Sequence, residues 1–287
     1  MAPIFLAEAA VNGILLGGVL ALLALGLNLI FGVVDIVWIA YVDLVMLGMY
    51  VVYFLVSAAG WPVWLAGVGA VAAVALLGVL VHLLIIAPIL SSPPVNQLLA
   101  TGGLLFFLQS FATFLWTTDH KSVRLALPSW EIGGIFLPAT RLIPFAISIL
   151  ALAGLYVFLT RTYVGTAIRA VSQDREAMAL MGASPQRIYI VTSAVGGLMA
   201  GLAGALLLFQ YSVHPFFGGQ FGPLTFMICV LGGLGNMVGA FVASFVMSEI
   251  ISIAGVVWST EMGYVIAFVV FIVMIFARPG GILARRQ

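Results

Sequence analysis

Long apolar stretches follow one another along this chain, and most of them have about the length that crosses a lipid bilayer. A hydrocarbon core about 30 Å thick requires about 20 consecutive apolar residues in a helix. Hydropathy predicts spans at residues 11–31, 36–56, 62–86, 97–116, 142–160, 188–210, 221–257 and 262–277. The chain is therefore expected to be an all-α integral membrane protein.

The composition excludes an ordinary soluble domain. Hydrophobic residues make up 64% of the chain and charged residues 7%, whereas soluble domains carry about 25% charged residues. Ten basic residues nearly balance nine acidic ones, which gives no indication of a nucleic-acid partner. Cys229 is the only cysteine, so no internal disulfide is possible. No basic residue precedes the first apolar stretch, and we expect that stretch to remain as a span rather than a cleaved signal peptide.

The arginines predict the topology. Residues 161–187 hold four of them, and the C-terminus holds three more, at Arg278, Arg285 and Arg286. The positive-inside rule places both regions in the cytoplasm, and counting back from them places the N-terminus outside. The segment 221–257 must then cross twice. We expect one transmembrane domain, residues 1–287, with about eight to ten spans and a discontinuous segment near Gly232 and Asn236.

Glycines predict close packing between the helices. Three pairs have the small-xxx-small spacing that lets helix backbones approach: Gly13 and Gly17, Gly197 and Gly201, and Gly235 and Gly239. Residues 12–19 and 195–204 also resemble each other as small-residue-rich starts of spans that run in opposite directions. Such an echo is what an inverted repeat of a transporter would produce.

The arginine-rich loop, residues 161–187, contains a candidate docking helix. Asp174 is suited to cap a short helix, and Gly182 followed by Pro185 is suited to end it. Methionines on one face of that helix would present a deformable apolar surface to a partner. A helix lying on the membrane surface is the open alternative. The candidate coupling residues are Asp174, Arg175, Glu176, Met178, Met181 and Gly182.

Polar and charged side chains within the predicted spans are the candidates for a solute pathway, because burying a charge in lipid costs at least a few kcal/mol. Asp35, Asp43 and Glu249 are the acidic ones, and Asp43 lies deepest in its span. The uncharged polar candidates for lining a cavity are Asn12, Asn28, Thr101, Gln109 and Gln210.

Several signatures of chemistry are missing. The chain has no Gly-x-x-x-x-Gly-Lys-Ser/Thr phosphate loop, and Lys121 is its only lysine. His82, His120 and His214 are far apart in sequence and predict no metal site. We therefore expect neither an enzyme nor a cofactor-binding chain. If transport is active, a separate protein or an ion gradient must supply the energy.

Taken together, these motifs resemble the branched-chain amino-acid ABC transporter permease family. The resemblance covers nearly the whole chain and rests on five features, which are Asn12-Gly13, Thr101-x-Gly103 with Gln109, the loop 161–187 with Met181-Gly182-Ala183, the glycine-rich residues 230–240, and Arg278-Pro-Gly-Gly-Ile-Leu283. It implies a permease of the bacterial inner membrane that pairs with a second, homologous permease. It also implies cytoplasmic ATPase subunits docked on the loop and a periplasmic solute-binding protein.

Two departures from the family pattern bear on the solute. A polar run that many members have after the first span reads here as Trp38-Ile-Ala-Tyr41-Val-Asp43, and a usual lysine is replaced by Leu224. The family resemblance implies a branched-chain amino acid or a related small organic solute. A more apolar passage would follow from the two departures, and they lead us to the hypothesis that the solute is not leucine or its kin but a larger, aromatic one. The predicted pathway residues are Asn12, Trp38, Tyr41, Asp43, Thr101 and Gln109.

Two other functions remain open at this level. An ion-coupled secondary transporter would use Asp43 or Glu249 to carry a proton or sodium ion and would need no ATPase partner. A membrane enzyme or scaffold is the third possibility, although no polar catalytic cluster falls within the spans.

Overall fold

The computed structural model describes residues 3–123, 127–132, 134–182, 184–278 and 280–282. Its helices are α1 (Pro3–Val34), α2 (Tyr41–Ser57), α3 (Val63–Val81), α4 (Ala87–Ile89), α5 (Pro94–Trp116), α6 (Ala139–Arg161), α7 (Tyr163–Gln173), α8 (Arg175–Leu180), α9 (Pro185–Leu207), α10 (Phe217–Gly232), α11 (Met237–Val257) and α12 (Thr260–Ala277). A π-helical turn, His82–Ile86, joins α3 to α4. The residues used above that lie outside the described ranges are Ala183, Pro279, Leu283, Arg285 and Arg286.

The helices confirm an all-α polytopic membrane protein. Within the described residues, seven helical stretches are long and apolar enough to cross a membrane, counting α3 to α4 as one. Two shorter apolar helices, α2 and α10, accompany them. The predicted break is present, because α10 ends at Gly232 and α11 begins at Met237. Gly233 and Gly235 have φ angles of 95° and 82° in the intervening turn, a conformation that favours glycine.

Close helix packing depends on the glycines that the sequence singled out. A Cβ atom added to Gly17 would lie 2.7 Å from the Phe245 ring, which shows how closely α1 packs along α11. One added to Gly197 would lie 2.7 Å from the carbonyl oxygen of Val74, between α9 and α3. In both helix pairs, residue numbers rise along one helix as they fall along the other: Gly13 contacts Glu249 and Gly17 contacts Phe245, while Gly197 contacts Val74 and Gly201 contacts Ala70. Both pairs are therefore antiparallel. The series α1–α2–α3 therefore runs opposite to α9–α10–α11, as an inverted repeat requires.

The bundle has two distinct ends. The arginine end carries α7 and α8, the end of α1, the turn at residues 233–236, and residues 280–282, whose Ile282 amide donates to the Leu231 carbonyl. The hairpin end carries the start of α1 and a two-stranded antiparallel sheet of β1 (Ser129–Ile132) and β2 (Ile135–Pro138). Within the described residues, the chain runs from one end of the bundle to the other nine times, which agrees with the predicted eight to ten spans.

Helix α2 begins later than the sequence predicts. A span was expected from residue 36, but residues 35–40 are irregular and the helix starts at Tyr41. The hydroxyl of Thr101 on α5 donates to the Val37 carbonyl at 3.0 Å, which satisfies part of this non-helical backbone. Hydropathy did not reveal the break because residues 36–42 are uniformly apolar. Irregular backbone at this depth is tolerated because protein surrounds it.

The β1–β2 hairpin was not predicted. The pair Gly133-Gly134 follows Ser-Trp-Glu-Ile, in which apolar and polar residues alternate, and precedes the apolar Ile-Phe-Leu-Pro; Ser129 lies opposite Pro138 in the register. A Gly-Gly pair between apolar runs is a recognised hairpin signal. Hydropathy shows residues 117–141 only as a connection between two predicted spans.

Candidate functional site

The arginine end presents two short helices that follow α6. In α7, the hydroxyl oxygen of Thr162 accepts a hydrogen bond from the Gly165 amide at 3.0 Å and caps the helix. Gly165, Ile168 and Val171 are buried while most of the remaining α7 residues are exposed or half-buried. Helix α7 is thus amphipathic and lies with its apolar face against the bundle; the sequence did not predict it as a separate helix.

Helix α8 contains the candidate coupling residues. The Asp174 carboxylate accepts hydrogen bonds from the Glu176 and Ala177 amides at 3.0 and 2.9 Å, so the predicted cap is confirmed. Gly182 has a φ of 84°, which suits the predicted helix end. The exposed apolar tip consists of Leu180, 89% exposed, and Met181, 84% exposed.

Met178 differs from Met181 in its surroundings. Its side chain is half-buried and packs against the core of the bundle. Leu180 is exposed instead, and it was not among the sequence candidates, which took methionine as the signal of a docking surface. Met178 therefore anchors α8 to the bundle while Leu180 and Met181 project from it.

An ion pair joins α8 to the entry of α2. Nη2 of Arg175 lies 3.3 Å from Oδ2 of Asp35. Asp35 is the first residue after α1 and has a φ of 60°, a conformation that aspartate tolerates better than most residues. Both side chains line a cavity of about 570 Å³ that also contacts Gly235 and Asn236. Helix α8, the irregular segment 35–40 and the α10–α11 turn thus meet at one place.

Five of the six predicted pathway residues are buried in the bundle, namely Trp38, Tyr41, Asp43, Thr101 and Gln109. The Tyr41 hydroxyl donates to the Gly196 carbonyl at 3.0 Å and so ties α2 to α9. The Trp38 ring meets the Tyr41 ring edge to face, with centroids 6.2 Å apart. These two aromatic side chains fix the start of α2 in the arrangement seen here.

Asp43 and Gln109 form a buried pair. Nε2 of Gln109 donates to Oδ1 of Asp43 at 3.1 Å. Oδ2 of Asp43 is buried and has no hydrogen-bond partner among the described residues. Gly218 of α10 closes the site, since a Cβ there would lie 2.9 Å from the Asp43 carboxyl carbon. The sequence predicted both residues as pathway candidates but gave no sign that they touch.

Glu249, the other acidic candidate, lies elsewhere. Its carboxyl group packs against Gly13, where an added Cβ would lie 2.8 Å away. It therefore belongs to the α1–α11 contact, and Asp43 belongs to the contact of α2 with α5 and α10. No described cation forms an ion pair with either carboxylate.

Asn12, the sixth pathway residue, lines open space at the hairpin end. Two cavities, of about 370 and 300 Å³, share Asn12, Arg141 and Gln210 as lining residues. We call the pair of cavities the vestibule. Arg141 was not among the sequence candidates. The available signal was its position directly before the predicted span 142–160.

Two histidines that are distant in sequence meet near the vestibule end of the bundle. The rings of His120 and His214 have centroids 4.5 Å apart, and Nδ1 of His120 lies 3.1 Å from Oγ of Ser212. Burial, and then the His120 ring, lower the pKa of His214. In the described part of the chain, no three His, Cys, Asp or Glu side chains group closely enough to hold a metal ion.

Comparison with known proteins shows similarity along the whole chain. The high-affinity branched-chain amino acid transport system permease protein LivH of Escherichia coli K12 is 28% identical, over 96% of this chain and 94% of that protein. The corresponding protein BraD of Pseudomonas aeruginosa is 24% identical, over 96% of this chain and 95% of its own length. A probable branched-chain amino acid transport permease of Methanocaldococcus jannaschii is 24% identical over 82% of this chain and 77% of its own.

No solved structure matches the chain. The family described as "Branched-chain amino acid transport system / permease component" matches residues 9–275, which include every spanning helix except the ends of α1 and α12. This chain belongs to the family of permease components of branched-chain amino acid transport systems.

Proposed function

We propose that this chain is a membrane-spanning subunit of an ATP-driven importer in the bacterial cytoplasmic membrane. It carries a branched-chain amino acid or a related small organic solute, aromatic ones included, by alternating access. The observation that carries this proposal is α8, a capped helix with an exposed apolar tip at Leu180 and Met181, joined to a broken span through Arg175 and Asp35. A transporter that works without ATPase partners has no need of such a surface.

The arginine end is the cytoplasmic end in this proposal. Arg161, Arg169, Arg175 and Arg187 all belong to the segment around α7 and α8. Their accumulation at one end supports this orientation by the positive-inside rule. The N-terminus and the vestibule then face the outside, and the C-terminus faces the cytoplasm.

The partners follow from this orientation. ATPase subunits dock on α8, where the apolar tip enters a groove and the flanking charges of Arg175 and Glu176 set the register. A second, homologous permease completes the translocation path, and a solute-binding protein delivers the solute to the hairpin end. ATP is bound and hydrolysed by the partner subunits, and this chain contributes no cofactor site.

One observation favours a second candidate function. Asp43 is 1% exposed, and Oδ2 has no partner among the described residues. A buried carboxylate of this kind is typical of a proton or sodium site in an ion-coupled transporter. The two candidates differ in whether ATPase subunits accompany the chain.

Co-purification from native membranes in mild detergent, with ATPase activity measured on the isolated complex, tests the proposal. Recovery of ATPase subunits is expected, and Leu180→Asp and Met181→Asp should abolish it because a charge replaces the apolar tip. Trp130→Asp, on the exposed β1 strand at the opposite end, is the matched control and should leave recovery unchanged. A chain that purifies alone and transports in liposomes under an ion gradient without ATP would support the second candidate instead.

A further inference from the structure

The vestibule is a polar chamber where widely separated segments meet. Its walls come from the start of α1, the start of α6, the irregular segment 208–216, the end of α11 and the start of α12. The two cavities, about 370 and 300 Å³, adjoin through their common residues. Volumes above about 300 Å³ are typical of sites for small ligands. The chamber therefore has room for a molecule the size of an amino acid.

One charge of each sign lines the larger of these two cavities. Glu8 lies on α1, one turn before Asn12, and Arg141 lies in the first turn of α6. Neither side chain forms an ion pair within the described residues. An acid and a guanidinium that share a cavity without neutralising each other leave it able to hold a ligand that carries both charges.

Two orphaned polar atoms add a donor and an acceptor. Oδ1 of Asn12 and Nε2 of Gln210 are buried and have no hydrogen-bond partner among the described residues. Leaving a buried polar atom unpaired costs about 1–3 kcal/mol. Both residues line both cavities, so a bound ligand can pair with the two atoms and remove this cost.

We propose that the vestibule binds the zwitterionic α-amino-acid group of the incoming solute. Glu8 and the amide oxygen of Asn12 receive the ammonium group. Arg141 and the amide nitrogen of Gln210 receive the carboxylate, for which the planar guanidinium is well suited. This inference rests on the proposed function, because it assigns the place where the transported amino acid first meets the permease.

Apolar side chains border the same chamber. Phe136 and Phe209 line the larger cavity, and Leu16, Ile251 and Val256 line the smaller one. A ligand fixed by its charged groups near Asn12 and Arg141 would place its side chain against one of these walls. The arrangement of few polar groups among apolar ones is usual for sites that bind small molecules.

Ligand selectivity of the unmodified protein is the first test. The permease complex in lipid nanodiscs is assayed for binding of radiolabelled L-leucine, with isoamylamine and isocaproate as competitors. Isoamylamine lacks the carboxylate and isocaproate lacks the ammonium group. Each is expected to compete at least about tenfold more weakly than L-leucine, because each loses a charged hydrogen-bonded contact. Equal competition by all three compounds would overturn the proposal.

Charge-removing variants assign the two roles. Arg141→Gln should weaken L-leucine binding at least about tenfold and remove its advantage over isoamylamine. Glu8→Gln should weaken it similarly and remove its advantage over isocaproate. Arg161→Gln, at the opposite end of α6, and Glu131→Gln, on the exposed β1 strand, are the matched controls and should bind as the unmodified protein does. L-leucine binding that is unchanged in both vestibule variants would disprove the assignment.

ATP-driven uptake separates the two levels of inference. If the unmodified transporter takes up neither an amino acid nor a related small organic solute, the proposed function fails and the vestibule proposal fails with it. If it takes up such a solute but no amino acid, only the vestibule proposal fails. If leucine uptake is present and stays unchanged in Arg141→Gln and Glu8→Gln, only the vestibule proposal fails. A strong rise in the concentration of leucine needed for half-maximal uptake, with the rate of ATP hydrolysis retained, is the expected result.

Discussion

The guanidinium group of Arg175 lies 3.3 Å from the carboxylate of Asp35, and this ion pair links α8, the candidate coupling helix, to the segment that leads into α2. Asp35 directly follows α1, and the irregular residues 36–40 lead from it into the bundle. A displacement of α8 by a partner would therefore act on the least regular part of the transmembrane bundle. In our proposal this is how closure of the ATPase subunits reaches the solute path.

The first prediction concerns this ion pair. Arg175→Gln and Asp35→Asn should each lower the amount of solute transported per ATP hydrolysed, measured in proteoliposomes. The double variant should be no worse than either single one, because both changes remove the same link. Thermal stability should barely change, since the side chains are 56% and 65% exposed and such pairs contribute at most about 1 kcal/mol.

Arg187→Gln is the control for this experiment, as Arg187 is an exposed arginine in the first turn of α9. Additive losses in the double variant would show that Arg175 and Asp35 act independently. That result would remove the ion pair from the coupling route.

The second prediction concerns helix packing. Gly78→Val should destabilise the protein by about 1–3 kcal/mol, because a Cβ at this position would lie 2.8 Å from the Ser193 carbonyl oxygen. Gly102→Val is the matched control, since no atom lies within 4 Å of a Cβ there. Thermal unfolding of both variants in detergent measures the difference. Equal midpoints for the two would mean that α3 and α9 do not pack this closely.

The third prediction separates a structural role of Asp43 from an ion-coupling one. Asp43→Asn keeps an oxygen that can accept the hydrogen bond from Gln109, so ATP-driven uptake should persist. Asp43→Leu leaves the buried Gln109 amide without that acceptor and should cost about 1–3 kcal/mol of stability. If Asp43→Asn abolished uptake while the thermal unfolding of the protein stayed unchanged, the result would favour the ion-coupled alternative.

The fourth prediction is a pH dependence of the loops at the hairpin end of the bundle. Residues 117–121 and 208–216 are joined by paired backbone hydrogen bonds between Lys121 and Val213, of 2.9 and 2.8 Å. His214 sits beside this contact with its pKa lowered below the ordinary value of 6.5. When the loops separate, the causes of the lowered pKa are lost, so the His214 side chain then binds a proton more readily. The contact is therefore fully stable above pH 6.5 and weakens as the pH falls below it.

Hydrogen exchange of the Lys121 and Val213 amides measures this effect. After correction for intrinsic rates, protection should fall between about pH 7.5 and about pH 5.5. His214→Gln should remove the dependence while keeping the backbone pairing. Protection that is independent of pH in the unmodified protein would contradict the prediction.

The fifth prediction concerns the aromatic entry of α2. Tyr41→Phe should cost about 1 kcal/mol, because the bond to the Gly196 carbonyl is lost. If Trp38 and Tyr41 also line the path in another conformation of the cycle, Trp38→Leu and Tyr41→Phe should change the preference between phenylalanine and leucine in competition uptake. An unchanged preference and rate in both variants would leave these residues with a packing role alone.

The class of protein, most of the spans and the local ends of the helices could be predicted from the residues alone. Hydropathy reports the free energy of transfer into lipid, which depends on composition and needs no knowledge of the fold. The cap at Asp174 and the turn near Gly233 follow equally from local chemistry, because the groups involved are only a few residues apart.

Tertiary structure decided where distant side chains meet. The late start of α2 depends on Thr101 of α5, and the vestibule depends on Asn12, Arg141 and Gln210 converging from three segments. Likewise, the contacts of Asp43 with Gln109 and of His120 with His214 form only when the helices pack together. Local pattern carries no information on such pairs, since their contact is set by how closely the glycine-lined helices approach one another.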